Sequence, residues 1–194
     1  MRLDILNHGY RPATRALFTL IRVFSGRPLP DAAKLTFYRP DFYGARAKRF
    51  THAAMRGPSA WSVADRELMA AYVATINESS FCIGAHTATA AQAYGDGAIV
   101  DTALSDLDSA PIADGLRATL RMLGKLTRDP NAVTPADMRA VLASGVTPEQ
   151  IRDALAVCAA FDTTARLADA FAFDLLTSEG YAAGAKFLLA RGYR

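Results

Sequence analysis

Apolar positions along this chain recur at the three- and four-residue spacing of amphipathic helices, and no run alternates as a half-buried strand does. In the segment that ends at Ile76, for example, Leu68, Met69, Tyr72 and Val73 lie on one apolar helical face. The pattern predicts an all-α fold. We expect helices over about residues 13–24, 41–55, 63–76, 80–93, 113–126, 148–176 and 182–190, with another after Thr134.

Capping residues mark the starts of three of these helices. Ser62 followed by Asp65 resembles a capping box, in which side-chain and backbone groups of the first turn satisfy each other. Thr134-Pro135-Ala136-Asp137 and Thr147-Pro148-Glu149-Gln150 each place Thr at the N-cap, Pro at the first helical position and an acid or amide at the third. These starts are local signals and do not depend on the rest of the fold.

The composition is that of a globular domain. The chain has 194 residues, of which 51% are apolar and 21% charged, so one well-packed domain over residues 1–194 is expected and a disordered chain is excluded. The apolar runs are too short for a membrane span, and the N-terminus does not resemble a secretory signal. We therefore expect a cytoplasmic protein that does not bind membranes.

Charge is distributed unevenly along the chain. Residues 1–56 carry eleven Lys or Arg against three Asp, a net +8, which leaves −5 for the remainder of a chain whose total is +3. The basic residues are scattered among aromatic ones instead of clustered, so a solvated face or a charge match between subunits explains them and no nucleic-acid partner is expected.

The chain has two cysteines, and Cys82 has the more reactive setting. With Ser79 or Ser80 as N-cap, Cys82 lies in the first turn of a helix, where free N–H groups and the helix dipole favour a thiolate. His86 lies four residues further on, one turn above the sulfur, where an imidazole can accept the thiol proton. Cys158 lies in an apolar stripe and is interpreted as an inert core residue.

Glu67 is the third candidate. Its helical neighbours are small and apolar, so its carboxylate either points outward or is buried beside a partner such as a histidine or a water. Burial of this kind would raise its pKa towards the range useful for proton transfer.

The spacing of these residues resembles a family signature. Glu67 is followed by eleven residues, then Ser79-Ser80-Phe81-Cys82, then three residues and His86. The alkylhydroperoxidase D-like family, which includes the carboxymuconolactone decarboxylases, has glutamate, eleven residues, Cys-x-x-Cys, three residues and histidine. Residues 161–171 also resemble the family's C-terminal helix, and the Gly-Tyr pairs at 180–181 and 192–193 (the second followed by Arg194) resemble its peroxidase-related branch. The resemblance covers residues 60–176, with 1–58 as a basic helical extension.

The resemblance implies an all-α fold that assembles into trimers or hexamers, and a thiol peroxidase activity. The resemblance implies that Cys82 attacks a hydroperoxide and that His86 and Glu67 relay the proton. Ser79 then occupies the position of the resolving cysteine. Because a serine cannot form a disulfide, oxidised Cys82 would need an external thiol, Cys158 or a cysteine of another subunit. An external thiol reductant is therefore an expected partner.

Other interpretations remain open. The family also implies a decarboxylase or proton-transfer enzyme acting on a small cyclic acid with His86 and Glu67 as acid and base, or a member without catalysis. Cys82 can be a small buried hydrophobe, His86 a histidine bound to a backbone carbonyl, Glu67 a surface residue, and Ser79 a cap or a donor to the thiolate. Histidines and cysteines lack metal-ligand spacing, and no phosphate loop is present, so neither a metal nor a cofactor is expected.

Overall fold

The structure, a computed structural model, describes residues 8–38, 40 and 44–193, and its regular secondary structure in these ranges is entirely helical. The all-α prediction is confirmed. The described helices are α1 Pro12–Ser25, α2 Asp31–Phe37, α3 Ala45–Arg56, α4 Val63–Ile76, α5 Ser80–Tyr94, α6 Gly97–Ser105, α7 Asp114–Arg128, α8 Pro135–Ala143, α9 Pro148–Phe171 and α10 Ser178–Arg191, with a short 3₁₀ turn at Pro130–Ala132.

The three predicted helix starts are confirmed in atomic detail. The Ser62 hydroxyl accepts from the Asp65 N–H while the Asp65 carboxylate accepts from the Ser62 N–H. Equivalent capping boxes begin α8 and α9, where Thr134 and Thr147 are the N-caps. Each box satisfies N–H groups that have no partner inside the helix, which is why the sequence located these starts correctly.

The prediction that one helix runs from Pro148 to about Leu176 is wrong at its end. α9 ends at Phe171 because Ala172 adopts a left-handed conformation with φ +50°, after which Phe173 packs its ring edge-on against Phe81 at 5.4 Å. α10 then begins at Ser178, four residues before the predicted position. The apolar spacing continues across this break, so periodicity alone could not locate it.

Two short helices, α2 and α6, were not predicted, because seven and nine residues are too few for a clear period. The helix predicted over about 41–55 is present as α3, but residues 41–43 lie outside the described residues. No described helix is long and apolar enough to cross a bilayer. The division into a 1–58 extension and a 60–176 core stays a prediction.

The helix α4 lies at the centre of the fold and packs against α5, α7 and α9. One face contributes Leu68, Met69 and Val73 to the main core, which also takes in residues of α7 and α9. Another face contributes Ala74 to a smaller apolar cluster, which we call the second cluster, made of Tyr10, Leu35, Ala74, Phe81, Cys82, Ala165, Ala168 and Phe173. The candidate site lies where α4 and α5 meet between these two clusters.

Candidate active site

Glu67 is the centre of a buried hydrogen-bonded cluster. Its side chain has no solvent exposure. Arg56 Nη2 at the end of α3 donates to its Oε1 at 2.6 Å, and His86 Nδ1 on α5 lies 2.8 Å from its Oε2. The Tyr193 hydroxyl, which follows α10, reaches Oε1 at 3.0 Å and Oε2 at 3.2 Å. Three other segments of the chain therefore converge on this carboxylate.

The pKa of Glu67 is lowered, contrary to the expectation that burial would raise it. Burial is the largest single influence and does act to raise the pKa, but the hydrogen bonds and electrostatic interactions with His86 and Arg56 together outweigh it. A carboxylate with a cation and two further donors is better satisfied charged than neutral. Glu67 is therefore a fixed anion that orients its neighbours, and it does not cycle protons itself.

His86 is buried and held in one orientation. Its ring packs edge-on against Phe161, with 4.1 Å between the centroids. Because the ionised Glu67 carboxylate can only accept, the proton of the 2.8 Å contact sits on Nδ1. The neutral ring then carries its lone pair on Nε2, which makes this nitrogen the available base.

Cys82 is the third residue of α5, as predicted, but its environment is not the predicted one. The side chain is 1% exposed and belongs to the second cluster. Burial raises the pKa of the thiol from an ordinary 9.0 to about 11, the negative charge of Asp169 adds to this, and only the Ser79 hydroxyl opposes it. A raised pKa favours the thiol over the thiolate at neutral pH, which is contrary to the predicted resting thiolate. No hydrogen bond joins Cys82 to His86.

Ser79 is fully buried at the N-cap of α5, yet its hydroxyl does not cap the helix. It donates instead to Oδ1 of Asp169 on α9 at 2.9 Å, with the Ala165 carbonyl further away at 3.4 Å. The hydroxyl accepts no hydrogen bond from the N–H groups of the first turn, so the capping role expected of it is wrong.

Two aromatic residues cover the start of α5. The ring of Tyr181 on α10 lies directly against Gly84, where an added Cβ would come within 2.6 Å of the ring. Phe173 packs against Phe81, the residue before Cys82. Glycine at position 84 is thus what lets α10 approach the helix that carries both Cys82 and His86, and this approach helps to exclude water from the site.

Comparisons with known proteins agree with this geometry. Residues 40–123 match the family model for the carboxymuconolactone decarboxylase family. This region is similar to that family. The matched residues contain Glu67, Cys82 and His86, whereas Tyr193 and Asp169 lie outside the family region. No curated protein matches the chain.

Two crystal structures show the same fold as the whole chain, including the part outside the family region. A peroxidase-related protein from Silicibacter sp. TM1040 has a TM-score of 0.78 with 24% identity, over 93% of this chain and 93% of that one. A peroxidase-related protein from Ralstonia eutropha JMP134, described as an alkylhydroperoxidase AhpD core, has a TM-score of 0.75 with 21% identity, over 91% and 92%. At these identities the likeness establishes the fold.

Sequence reasoning missed Arg56 and Tyr193, which complete the Glu67 cluster. They lie 11 and 126 residues from Glu67, and neither has a local pattern that pairs it with a carboxylate. The pair Gly192-Tyr193 was noted only as a branch feature. Cys158 is buried, as expected for a core residue, with the Thr127 hydroxyl 3.6 Å from its sulfur. Within the described part of the chain, no three His, Cys, Asp or Glu side chains cluster as metal ligands do.

Proposed function

We propose that this protein is a thiol-dependent, peroxidase-like oxidoreductase that reduces hydroperoxides through Cys82. His86 serves as the base and Glu67 orients it. The observation that carries the proposal is the 2.8 Å bond from Glu67 to His86 one helical turn from the cysteine. Two structural neighbours are named as peroxidase-related, and these names support the proposal.

A buried thiol with a pKa of about 11 cannot rely on a resting population of thiolate. It needs a base that removes the proton as the sulfur attacks. The Nε2 atom of His86 supplies that base, and the Glu67 anion stabilises the imidazolium that forms. Burial then has a chemical use, because a neutral thiol resists oxidation until a peroxide and the base are both in place.

The proposed cycle balances with an external thiol as reductant. The Cys82 thiol attacks the terminal peroxide oxygen, the O–O bond breaks, and the products are Cys82 sulfenic acid and an alcohol that takes the proton from His86. A first reductant thiol condenses with the sulfenic acid to give a mixed disulfide and water. A second thiol then releases the Cys82 thiol and leaves as the oxidised disulfide. Because position 79 is a serine and not a resolving cysteine, the proposed cycle assigns the resolving step to the external thiol.

The test is hydroperoxide consumption by the purified protein with dithiothreitol as the supplied thiol. Mass spectrometry after dimedone treatment reports whether Cys82 forms a sulfenic acid. We expect turnover and a dimedone adduct on Cys82, and we expect Cys82→Ala to be inactive. Equal activity of Cys82→Ala and the parent would overturn the proposal.

A second candidate is a decarboxylase or proton-transfer enzyme for a small cyclic acid. One observation favours it: the Glu67–His86 pair is complete without any hydrogen bond to Cys82. In that case Cys82→Ser retains turnover of such an acid while His86→Gln abolishes it. If the parent protein turns over neither a hydroperoxide nor such an acid, the protein is a member of the fold without catalysis.

A further inference from the structure

The C-terminal Tyr193 brings its hydroxyl into the interior of the candidate site. The hydroxyl spans the Glu67 carboxylate, at 3.0 Å from Oε1 and 3.2 Å from Oε2. Burial, followed by the negative charge of Glu67, raises the pKa of Tyr193 well above its ordinary value of 10.0. The hydroxyl is therefore protonated at neutral pH and acts as a hydrogen-bond donor.

The segment that delivers this hydroxyl is anchored at several points. The Tyr193 N–H donates to Nδ1 of His52 at 3.3 Å, and Arg56 donates to the Leu188 carbonyl at 3.2 Å near the end of α10. The Arg56 guanidinium also lies over the Tyr193 ring, 5.2 Å from its centroid. Gly192 has φ +67°, and a Cβ there would come within 2.8 Å of the His52 ring. Glycine is required for this path.

We propose that Tyr193 is a positioning residue for His86. Its hydroxyl and Arg56 hold the Glu67 carboxylate so that Oε2 faces Nδ1 of His86, which fixes the imidazole in the tautomer with Nε2 free. The Glu67 carboxylate has no exposure to solvent and His86 is only 4% exposed, so the carboxylate depends on protein donors to hold its orientation. The importance of this tautomer rests on the proposed function, but its existence does not.

The direct test is ¹⁵N NMR of the His86 ring in Tyr193→Phe, with His86→Gln used to assign the signals. The parent is expected to show one Nδ1–H tautomer, and Tyr193→Phe a mixture of the two. The peroxidase kcat/KM should fall roughly 10- to 100-fold, the usual effect of misplacing a catalytic group. Gly192→Ala keeps the hydroxyl but displaces it, and should give the same mixture of tautomers.

Tyr94→Phe is the matched control. The Tyr94 hydroxyl also donates to a carboxylate, Oδ1 of Asp65 at 2.6 Å, but at a place that does not touch Glu67. We expect this control to leave the His86 tautomer and the kcat/KM unchanged. A single Nδ1–H tautomer in Tyr193→Phe, or an equal change in Tyr94→Phe, would overturn the inference. A mixture of tautomers in a protein that shows no turnover would support the inference and reject the peroxidase.

Discussion

Cys82 and Cys158 are both buried, at 1% and 4% exposure, and burial raises the pKa of both thiols. Each also has a hydroxyl neighbour that opposes this rise, Ser79 for the first and Thr127 for the second. Their surroundings otherwise differ. Cys158 lies in the middle of α9 within the main core, whereas Cys82 lies in the first turn of α5, one turn from a histidine held by a charged cluster.

The comparison shows that a helix start does not by itself activate a cysteine. A rise in pKa from 9.0 to about 11 corresponds to roughly 3 kcal/mol against the thiolate. The helix dipole offers a charge at its N-terminus only about 0.3–1 kcal/mol in ordinary settings. Desolvation therefore dominates, and what separates Cys82 from Cys158 is a base within one turn.

Removing the charge of Glu67 should have the largest effect. Glu67→Gln leaves the buried Arg56 without its anion, so we expect the free energy of unfolding to fall by about 3–5 kcal/mol, measured by urea denaturation at pH 7. The control is Asp108→Asn, which breaks the exposed pair with Arg121 and should cost less than about 1 kcal/mol. If Glu67→Gln lost no more free energy of unfolding than this control, the Glu67 cluster would contribute little to stability.

The same substitution gives a pH dependence with a definite sign. The native pKa of Glu67 lies below its ordinary value of 4.5, so the unfolded chain binds the proton first as the pH falls. The stabilisation from the carboxylate is complete above about 4.5 and is lost as the pH falls through the lower native pKa. The difference in the free energy of unfolding between the parent and Glu67→Gln should therefore narrow below pH 4.5. A difference in the free energy of unfolding that widened below pH 4.5 would contradict the lowered pKa of Glu67.

Replacing His86 should make Cys82 resemble Cys158 chemically. Without the base, the buried thiol has no group to take its proton, so we expect His86→Gln to lower the peroxidase kcat/KM about 100-fold. Cys158→Ala, in contrast, should keep the rate of the parent because no base lies beside it. Loss of activity in Cys158→Ala would instead point to Cys158 as a resolving thiol.

Alkylation by iodoacetamide compares the two thiols without any assumption about turnover. At pH 8 the thiolate fraction of Cys82 should be about 100-fold smaller than that of an unfolded cysteine, given a pKa of about 11 against 9.0. Its rate should continue to rise with pH up to about 11. Peptide mass spectrometry separates Cys82 from Cys158. Fast alkylation of Cys82 that reaches its plateau below pH 9 would restore the thiolate hypothesis.

The features of this fold that could be predicted from the sequence depend on residues that are close together in the chain. Capping boxes and apolar faces lie within a few residues, so the starts of α4, α8 and α9 were located from the sequence. The end of α9 was not, because Phe173 turns away to meet Phe81, which is distant in sequence. Tertiary packing decided that boundary.

The candidate site also has a part that could be predicted from the sequence and a part that could not. The spacing of Glu67 and His86 suggested a carboxylate and an imidazole in contact, and they lie 2.8 Å apart. The protonation state of Cys82 depends on how deeply other helices bury it, and no local sequence pattern indicates this. Tyr193 reaches the site only through the path of the last helix, so its role could be seen only in the folded chain.

The smallest expected effect concerns the hydroxyl that opposes the burial of Cys82. Ser79→Ala removes a donor beside the sulfur, so the pKa of Cys82 should rise further and its alkylation curve should move to higher pH. Stability should fall by about 1 kcal/mol, because the exposed Asp169 can be hydrated once its partner is gone. Ser80→Ala is the control, since Ser80 is exposed and should change neither quantity. If the alkylation curve of Ser79→Ala moved to lower pH instead, the Ser79 hydroxyl would favour the thiol form of Cys82. Asp169 would then be the charge that determines the direction of the pKa shift.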